Sequence, residues 1–264
     1  MFASFGKAEK VCTLAVYFRA FDGFPLIIAA NRDEHFDRPS SPPNLLPTTP
    51  KIVSGRDLRA GGTWLGFNER GLVVAILNRH LNDDFPLLPS ARSRGALCMD
   101  LLMQNSVTEA NELLRDHRVR YNPFTVLFAD PRRAYVAHNE DQTILSQRLD
   151  AGLHVFSSAA DFELHSSKAR RAEALFAEVK NRMPLLGFDL SASIKVLQAV
   201  LADHSLPQGS TNPGDAICVH RETSGTVSSS ILFFSQSSSR FDSYYCEGPP
   251  CRNCFGDSLK LELS

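Results

Sequence analysis

The sequence of 264 residues lacks a hydrophobic run long enough to cross a membrane. Its longest strongly apolar stretch, 24–30, is far below the roughly 20 residues that a membrane helix needs. Charge of one sign is also lacking, because 28 basic residues are matched by 29 acidic ones. Such a chain has no broad positive field to steer it to nucleic acid. We therefore expect neither a membrane span nor a nucleic-acid partner.

Cysteine is too scarce for a disulfide framework. The six cysteines are spread unevenly along a chain that is long enough to bury a large core without cross-links. A reducing cytoplasm is therefore the expected location. The first eleven residues contain charged side chains and no apolar segment, so they do not resemble a secretory signal.

Several motifs of known chemistry are missing as well. The sequence has no G-x-x-x-x-G-K-[ST] loop, no G-x-G-x-x-G after a strand, no H-E-x-x-H and no G-x-S-x-G. Three cysteines near the C-terminus, Cys246, Cys251 and Cys254, give a weak zinc signal, because a fourth ligand such as histidine is needed. An exposed or partly ordered tail is the favoured interpretation of this segment. No cofactor and no metal are expected.

What is present is an alternation of strand-like and helical patterns. Apolar runs at 12–18 and 24–30 flank Asp22-Gly23, a dipeptide typical of β-hairpin turns. Five prolines within 37–50 favour an extended surface loop. Further strands are expected at 52–54, 63–67, 72–77, 124–129, 134–138, 143–149, 217–220, 226–234 and 241–245, and helices at 93–104, 110–117, 167–182 and 191–204.

This order of elements favours an α+β fold. Groups of strands alternate with pairs of helices, without the one helix per strand of a doubly wound sheet. Two mainly antiparallel sheets with helices outside them satisfy the count. We expect a single domain at 12–245, an N-terminal extension at 1–11 and a cysteine-containing tail at 246–264.

Six short motifs, found in order from Cys12 to about Ser235, resemble the NRDE family, also called the Transport and Golgi organisation protein 2 family. The motifs are Cys12-Thr13-Leu14, Ala30-Asn31-Arg32-Asp33-Glu34, Gly55-Arg56-Asp57, Gly61-Gly62-Thr63-Trp64-Leu65-Gly66, Arg92-Ser93-Arg94-Gly95 and Asn122-Pro123-Phe124. This family is similar to the N-terminal nucleophile hydrolases. The resemblance therefore implies a four-layer αββα fold, with two mainly antiparallel sheets between helix layers.

The same resemblance implies a cysteine nucleophile at Cys12, with its own α-amine as the general base. Reference pKa values of roughly 7.7–8.0 for the amine and about 8.5 for the thiol make this proton transfer cost only about a kcal/mol. Asp33 would hold the ammonium, and Asn78 would donate to the oxyanion by its match to choloylglycine hydrolases. The implied reaction is hydrolysis of a nonpeptide C–N bond of a small acylated substrate.

An acylated nitrogen is not a base, so this chemistry requires Cys12 to be the first residue of the mature chain. Two origins of the extension 1–11 are open. It is either a propeptide that is removed, or the true start lies at Val11, because valine can be encoded by the bacterial start codon GTG.

The remaining candidate residues concern the substrate. They are Asn31, Arg32, Arg56, Trp64 and Ser158. Either arginine can anchor a carboxylate or make a structural ion pair, and Trp64 suits a pocket wall as well as a core. The chain departs from the family at Ser158, where asparagine is usual, and at Val227, where arginine is usual.

A second class of function stays open. The alternative is a noncatalytic binding or trafficking protein related to haem or lipid, with His138 or His220 as conceivable haem ligands. A single histidine at a strand end is more often an ordinary hydrogen-bonded side chain. The sequence leaves the oligomeric state undetermined.

Overall fold

The computed structural model describes residues 12–79, 87–115, 119–140, 143–158, 166–187 and 189–264. The predicted extension 1–11 and the last two residues of the predicted helix 110–117 lie outside these ranges. The strands are β1 (Thr13–Phe18), β2 (Leu26–His35), β3 (Ser40–Leu46), β4 (Ile52–Asp57), β5 (Leu65–Asn68), β6 (Val73–Asn78), β7 (Phe124–Ala129), β8 (Ala134–Glu140), β9 (Thr143–Arg148), β10 (Gly152–Ser157), β11 (Ser224–Ser235), β12 (Arg240–Glu247) and β13 (Leu259–Glu262). The α-helices are α1 (Arg94–Leu102), α2 (Val107–Leu114), α3 (Ser167–Arg182) and α4 (Leu190–Leu201).

The strands form two antiparallel sheets. The six-stranded sheet has the order β10-β1-β2-β11-β12-β13, and the seven-stranded sheet has the order β3-β4-β5-β6-β7-β8-β9. The strand that begins next to Cys12 is therefore an internal strand, with β10 on one side and β2 on the other. The predicted α+β class with two mainly antiparallel sheets is confirmed.

Three apolar layers hold the two sheets and the helices together. Val16 and Leu127 lie in the layer between the sheets. Tyr17 and Phe176 lie between the six-stranded sheet and helices α3 and α4, and Leu101 lies between the other sheet and helices α1 and α2. Neighbouring residues of β1 thus enter different layers, which explains why its apolar run is unbroken rather than alternating. The order helix, sheet, sheet, helix is the expected four-layer arrangement.

Two boundaries differ from the sequence-based expectation near the site. Strand β2 does not end at residue 30 but continues to His35, because β11 pairs with it as far as Ser224. The predicted loop 37–50 contains β3, in which Pro42 and Pro43 coincide with a shift of register. Proline cannot donate a ladder hydrogen bond, so such a strand is restricted to the edge of a sheet, where β3 lies.

The segment predicted to be a tail is part of the fold. Strand β12 continues through Cys246, which is fully buried, and β13 extends the six-stranded sheet. Strand β10 was not predicted, and the predicted strand 217–220 is reduced to one bridge between His220 and Gly225. No helix among the described residues is long and apolar enough to cross a membrane.

Candidate functional site

Cys12 lies directly before β1, and its position is set by backbone groups of neighbouring segments. Its Sγ accepts a hydrogen bond from Asp33 N at 3.3 Å and lies 3.6 Å from Asp33 O. Its backbone N donates to Ser158 Oγ at 3.2 Å, and Ser158 N donates to Cys12 O at the same distance. The structure therefore brings three predicted site residues together at one end of the six-stranded sheet.

The Asp33 carboxylate is buried among polar partners on the helix side of that sheet. Thr226 Oγ1 donates to Asp33 Oδ1 at 2.6 Å, and Lys168 Nζ lies 3.3 Å from Asp33 Oδ2. Lys168 also donates to Gly214 O at 3.3 Å. Sequence reasoning missed Lys168 and Thr226, because nothing in a helix that reads Ser-Lys-Ala-Arg-Arg marks its first lysine as buried.

Burial raises the pKa values of both Cys12 and Asp33. The pKa of the Cys12 thiol rises to about 11, and the negative charge of Asp33 adds to the effect of burial. Burial also raises the pKa of Asp33, while Lys168 and Thr226 partly offset it. With a preceding residue attached, the thiol is therefore protonated at neutral pH.

A cavity of about 160 Å³ opens beside Cys12, between the ends of the two sheets. Asn78, the last residue of β6, lies on its wall, as do Asp33 and Trp64. The predicted nucleophile and the predicted oxyanion donor thus share one cavity. The Asn78 side chain forms no hydrogen bond with the described part of the chain, so its amide is available to a ligand.

Arg32 and Trp64 form one wall of this cavity as a stacked pair. The Arg32 guanidinium carbon lies 4.3 Å from the centre of the Trp64 ring, a cation–π arrangement. Arg32 also donates to Ser40 Oγ at 3.2 Å and lies 3.9 Å from carboxylate oxygens of Glu34 and Asp57. Arg32 could anchor a substrate carboxylate or make a structural ion pair. Its contacts with Ser40, Glu34 and Asp57 fit the structural role.

Asp57 accepts hydrogen bonds from several groups beside the cavity wall. Burial alone would raise its pKa, but hydrogen bonds from Ala60 N, the Arg38 guanidinium and Arg59 N outweigh it and hold the pKa below its usual range. The Arg38 Nη2 to Asp57 Oδ2 distance is 2.7 Å. The motif Gly55-Arg56-Asp57 therefore contributes its aspartate rather than its arginine to the cavity.

Arg94 is a cavity residue that the sequence analysis did not assign to the site. It opens helix α1 and donates to Pro123 O at 2.8 Å. Burial lowers its pKa to about 10, so it stays cationic at neutral pH. No carboxylate among the described residues forms an ion pair with it. The nearby Glu34 carboxylate favours the charged form of Arg94, whereas the positive charge of Arg38 disfavours it.

Two predicted substrate residues are not on the wall of this cavity, although Asn31 pairs with Thr13 next to Cys12 and lines a smaller neighbouring cavity with Cys12 and Trp64. The Asn31 amide is fully engaged, since it donates to Leu201 O and Ile217 O and accepts from Ser229 Oγ. Arg56 is exposed on β4 and is not part of the cavity wall. The assignment of Asn31 and Arg56 to substrate binding stays a prediction.

Comparison with solved structures identifies the class of fold. A variant of conjugated bile acid hydrolase from Clostridium perfringens matches with a TM-score of 0.58 and 13% identity, over 96% of this chain and 98% of that one. The N-acylethanolamine-hydrolyzing acid amidase ortholog of Caenorhabditis elegans matches with a TM-score of 0.54 and 14% identity, over 84% and 92%. The chain has the N-terminal nucleophile hydrolase fold.

The sequence comparisons identify the family. The family model for Transport and Golgi organisation 2 matches residues 11–243, so the chain belongs to that family, as predicted. The mouse Transport and Golgi organization 2 homolog is 29% identical over 235 residues, which cover 80% of this chain and 82% of the mouse protein. The human homolog is 33% identical over 114 residues, or 41% of this chain and 40% of the human one.

Proposed function

We propose that this protein is a cysteine N-terminal nucleophile amidohydrolase, which cleaves a nonpeptide C–N bond of a small acylated substrate when Cys12 is its first residue. The observation that carries the proposal is the position of Cys12. Cys12 lines a cavity that Asn78 also lines, and it lies directly before the internal strand β1. A nucleophile on a rigid sheet meets the precision that catalysis requires.

The proposed mechanism uses Cys12, its freed α-amine and Asn78. The free α-amine of Cys12 takes the thiol proton, and the thiolate attacks the substrate carbonyl carbon. Asn78 stabilises the oxyanion, and one such donor is worth roughly 3–4 kcal/mol of barrier. As the C–N bond breaks, the ammonium returns its proton to the leaving amine, and water then hydrolyses the thioester.

Ser158 acts in this mechanism on the nitrogen of Cys12. Its Oγ already accepts a hydrogen bond from that nitrogen at 3.2 Å. After a free amine has formed, the same oxygen accepts from the ammonium and fixes its orientation. Ser158 is therefore a positioning residue for the base. In this role its hydroxyl serves at the position where the family usually has asparagine.

The cavity favours a substrate that carries an anionic group. Arg94 keeps its charge at neutral pH and donates no hydrogen bond to a carboxylate among the described residues, although Glu34 acts on it electrostatically. Arg32 and Arg38 lie closer to Glu34 and Asp57. A planar guanidinium binds a carboxylate with two parallel hydrogen bonds. We therefore infer that N-acyl amino acids are better substrates than uncharged N-acyl amides of the same acyl chain.

The test compares three forms of the protein. These are the full chain, a chain started at Cys12 by removal of an initiator methionine, and the Cys12 start with Cys12→Ala. We expect acyl-enzyme formation, seen by intact mass, and amine release only for the Cys12 start. Replacement of the exposed Cys254 by alanine is the matched control and should keep full activity. A full chain that retains Met1 and is equally active would contradict the proposal.

A second comparison tests the oxyanion donor. Asn78→Ala should lower the acylation rate of the Cys12 start by about 10²–10³-fold with little change in substrate binding. Asn44→Ala, an exposed residue of β3, is the control. If no form hydrolyses any amide, the noncatalytic alternative is favoured, and a haem titration followed at the Soret band tests it directly.

A further inference from the structure

Three side chains from the segment 204–220 and one from the segment after β12 meet outside the wall of the Cys12 cavity. The cluster consists of His204, Cys218, His220 and Cys251, and one ligand atom from each lies within 4.8 Å of all the others. We propose that these residues bind one zinc ion as a structural Cys2His2 site. This inference is independent of the hydrolase proposal.

The distances fit a single tetrahedral ion. With Zn–S of about 2.3 Å and Zn–N of about 2.0 Å, two sulfurs lie about 3.8 Å apart and a sulfur and a nitrogen about 3.5 Å apart. The Sγ atoms of Cys218 and Cys251 are 3.8 Å apart. His220 Nε2 lies 3.8 Å from Cys218 Sγ and 3.3 Å from Cys251 Sγ. A disulfide is excluded in this arrangement, because its sulfurs would lie about 2.05 Å apart.

The fourth ligand is oriented as metal-binding histidines usually are. His204 Nδ1 lies 3.1 Å from Cys218 O, and a proton on Nδ1 leaves the lone pair of Nε2 for coordination. The rings of His204 and His220 have centroids 4.9 Å apart, and one ring nitrogen of each lies within 4.8 Å of both sulfurs. Two thiolates and two imidazoles fill a tetrahedral shell, and this donor set favours zinc among the common divalent ions.

The site would join the C-terminal segment to the loop that supports Asp33. Cys251 follows β12, whereas Cys218 lies in the segment between α4 and β11. Next to Cys218, Val219 N donates to Thr226 Oγ1 at 2.9 Å, and Thr226 Oγ1 in turn donates to Asp33. A zinc ion would therefore brace the position of Thr226 without touching the Cys12 cavity.

The C-terminal cysteine pattern gave only a weak zinc signal from Cys246, Cys251 and Cys254, and the proposed site uses a different set of ligands. Cys246 is buried in β12 with its Sγ near Gly248 O, and Cys254 is exposed outside the cluster. Only Cys251 of these three joins the site. Its partners come from 204–220, and no spacing rule connects two such distant segments.

The test is metal analysis of the full chain, purified without a histidine tag or a chelator. We expect about one zinc per chain, which resists desalting and is lost to a strong chelator. Cys218→Ser and Cys251→Ser should each lower the zinc content at least tenfold, whereas Cys254→Ser should not. Cobalt substitution should give the intense visible bands of a tetrahedral site and a near-ultraviolet thiolate band that weakens in Cys251→Ser.

Cys251→Ser keeps the test valid if Cys218→Ser does not fold, because Cys251 is exposed and Cys218 is buried. Protection from alkylation gives a second measurement, since zinc should shield Cys251 but not Cys254 until a chelator is added. The proposal is overturned if the full chain, given one equivalent of zinc and desalted, holds almost none. It is also overturned if Cys251→Ser and wild type hold equal amounts, or if Cys218 and Cys251 are recovered as a disulfide.

Discussion

Lys168 Nζ lies 3.3 Å from Asp33 Oδ2, and both side chains are only 2% exposed. This pair connects helix α3 to the strand residue whose backbone N–H holds the Cys12 thiol. A charge taken out of water in this way is tolerated only while its partner is present. The pair therefore couples the stability of the helix layer to the position of Cys12.

Lys168→Met is expected to destabilise the protein by about 3–5 kcal/mol, because it leaves the Asp33 carboxylate buried without its cation. Lys180→Met, at an exposed position of the same helix, should change stability by no more than about 0.5 kcal/mol. Urea unfolding at pH 7 measures both. Adding Asp33→Asn to Lys168→Met should recover part of the loss, and equal effects of the two lysine variants would refute the coupling.

Alkylation of Cys12 is expected to depend on pH differently in the two forms of the chain. With residue 11 attached, a thiol pKa of about 11 leaves roughly one thiolate in 10⁴ at pH 7, so the rate should rise about tenfold per pH unit up to about pH 10. In a chain that starts at Cys12, the adjacent ammonium stabilises the thiolate, and the rise should begin near neutrality. Iodoacetamide labelling located by peptide mass measures both profiles, and identical profiles would contradict the expectation.

Gly62→Ala is expected to disturb the cavity wall that carries Arg94. A Cβ at Gly62 would lie 2.5 Å from Gly95 O and 2.6 Å from Ala96 N, and these backbone atoms cannot turn away. The loss should be about 3 kcal/mol or more. Gly61→Ala is the control, because the φ of Gly61 is +77° and the space around it is open. This conformation is unfavourable for alanine, so the variant should lose about 1–2 kcal/mol of stability. Thermal unfolding of both variants decides whether close approach or backbone conformation dominates.

Asp57→Asn is expected to cost about 1–2 kcal/mol at pH 7, because the carboxylate accepts from Arg38 and from two backbone amides. A lowered folded-state pKa means that this stabilisation is complete above the unfolded value of about 3.9 and is lost as the pH falls through the folded value. The difference from wild type should therefore be constant above about pH 5 and shrink below pH 4. Asp37→Asn, at an exposed ion pair, should show almost no difference at any pH.

The fold class could be predicted because local patterns define it, whereas Cys12, Asp33 and Asn78 were assigned from the resemblance to the family and not from local pattern. Unbroken apolar runs indicate strands that are buried on both faces, and the order of elements gives the layers. Lys168 could not be predicted, because a lysine near the start of a charged helix has the same local pattern whether it is buried or exposed. The edge strands β3 and β13 were missed for a related reason, since proline or short length weakens their local pattern while the neighbouring strand supplies the hydrogen bonds.

The internal position of β1 bears on whether folding or the release of the Cys12 amine comes first. Thr13 pairs with Ser157 on one side and Asn31 on the other, while the nitrogen of Cys12 is still a peptide nitrogen. The pairing of β1 therefore does not need a free α-amine at Cys12, which is the base of the proposed mechanism. On the proposed mechanism, folding and activation are separate in time, and one cleavage, or the choice of a start codon, decides when an inert precursor becomes reactive.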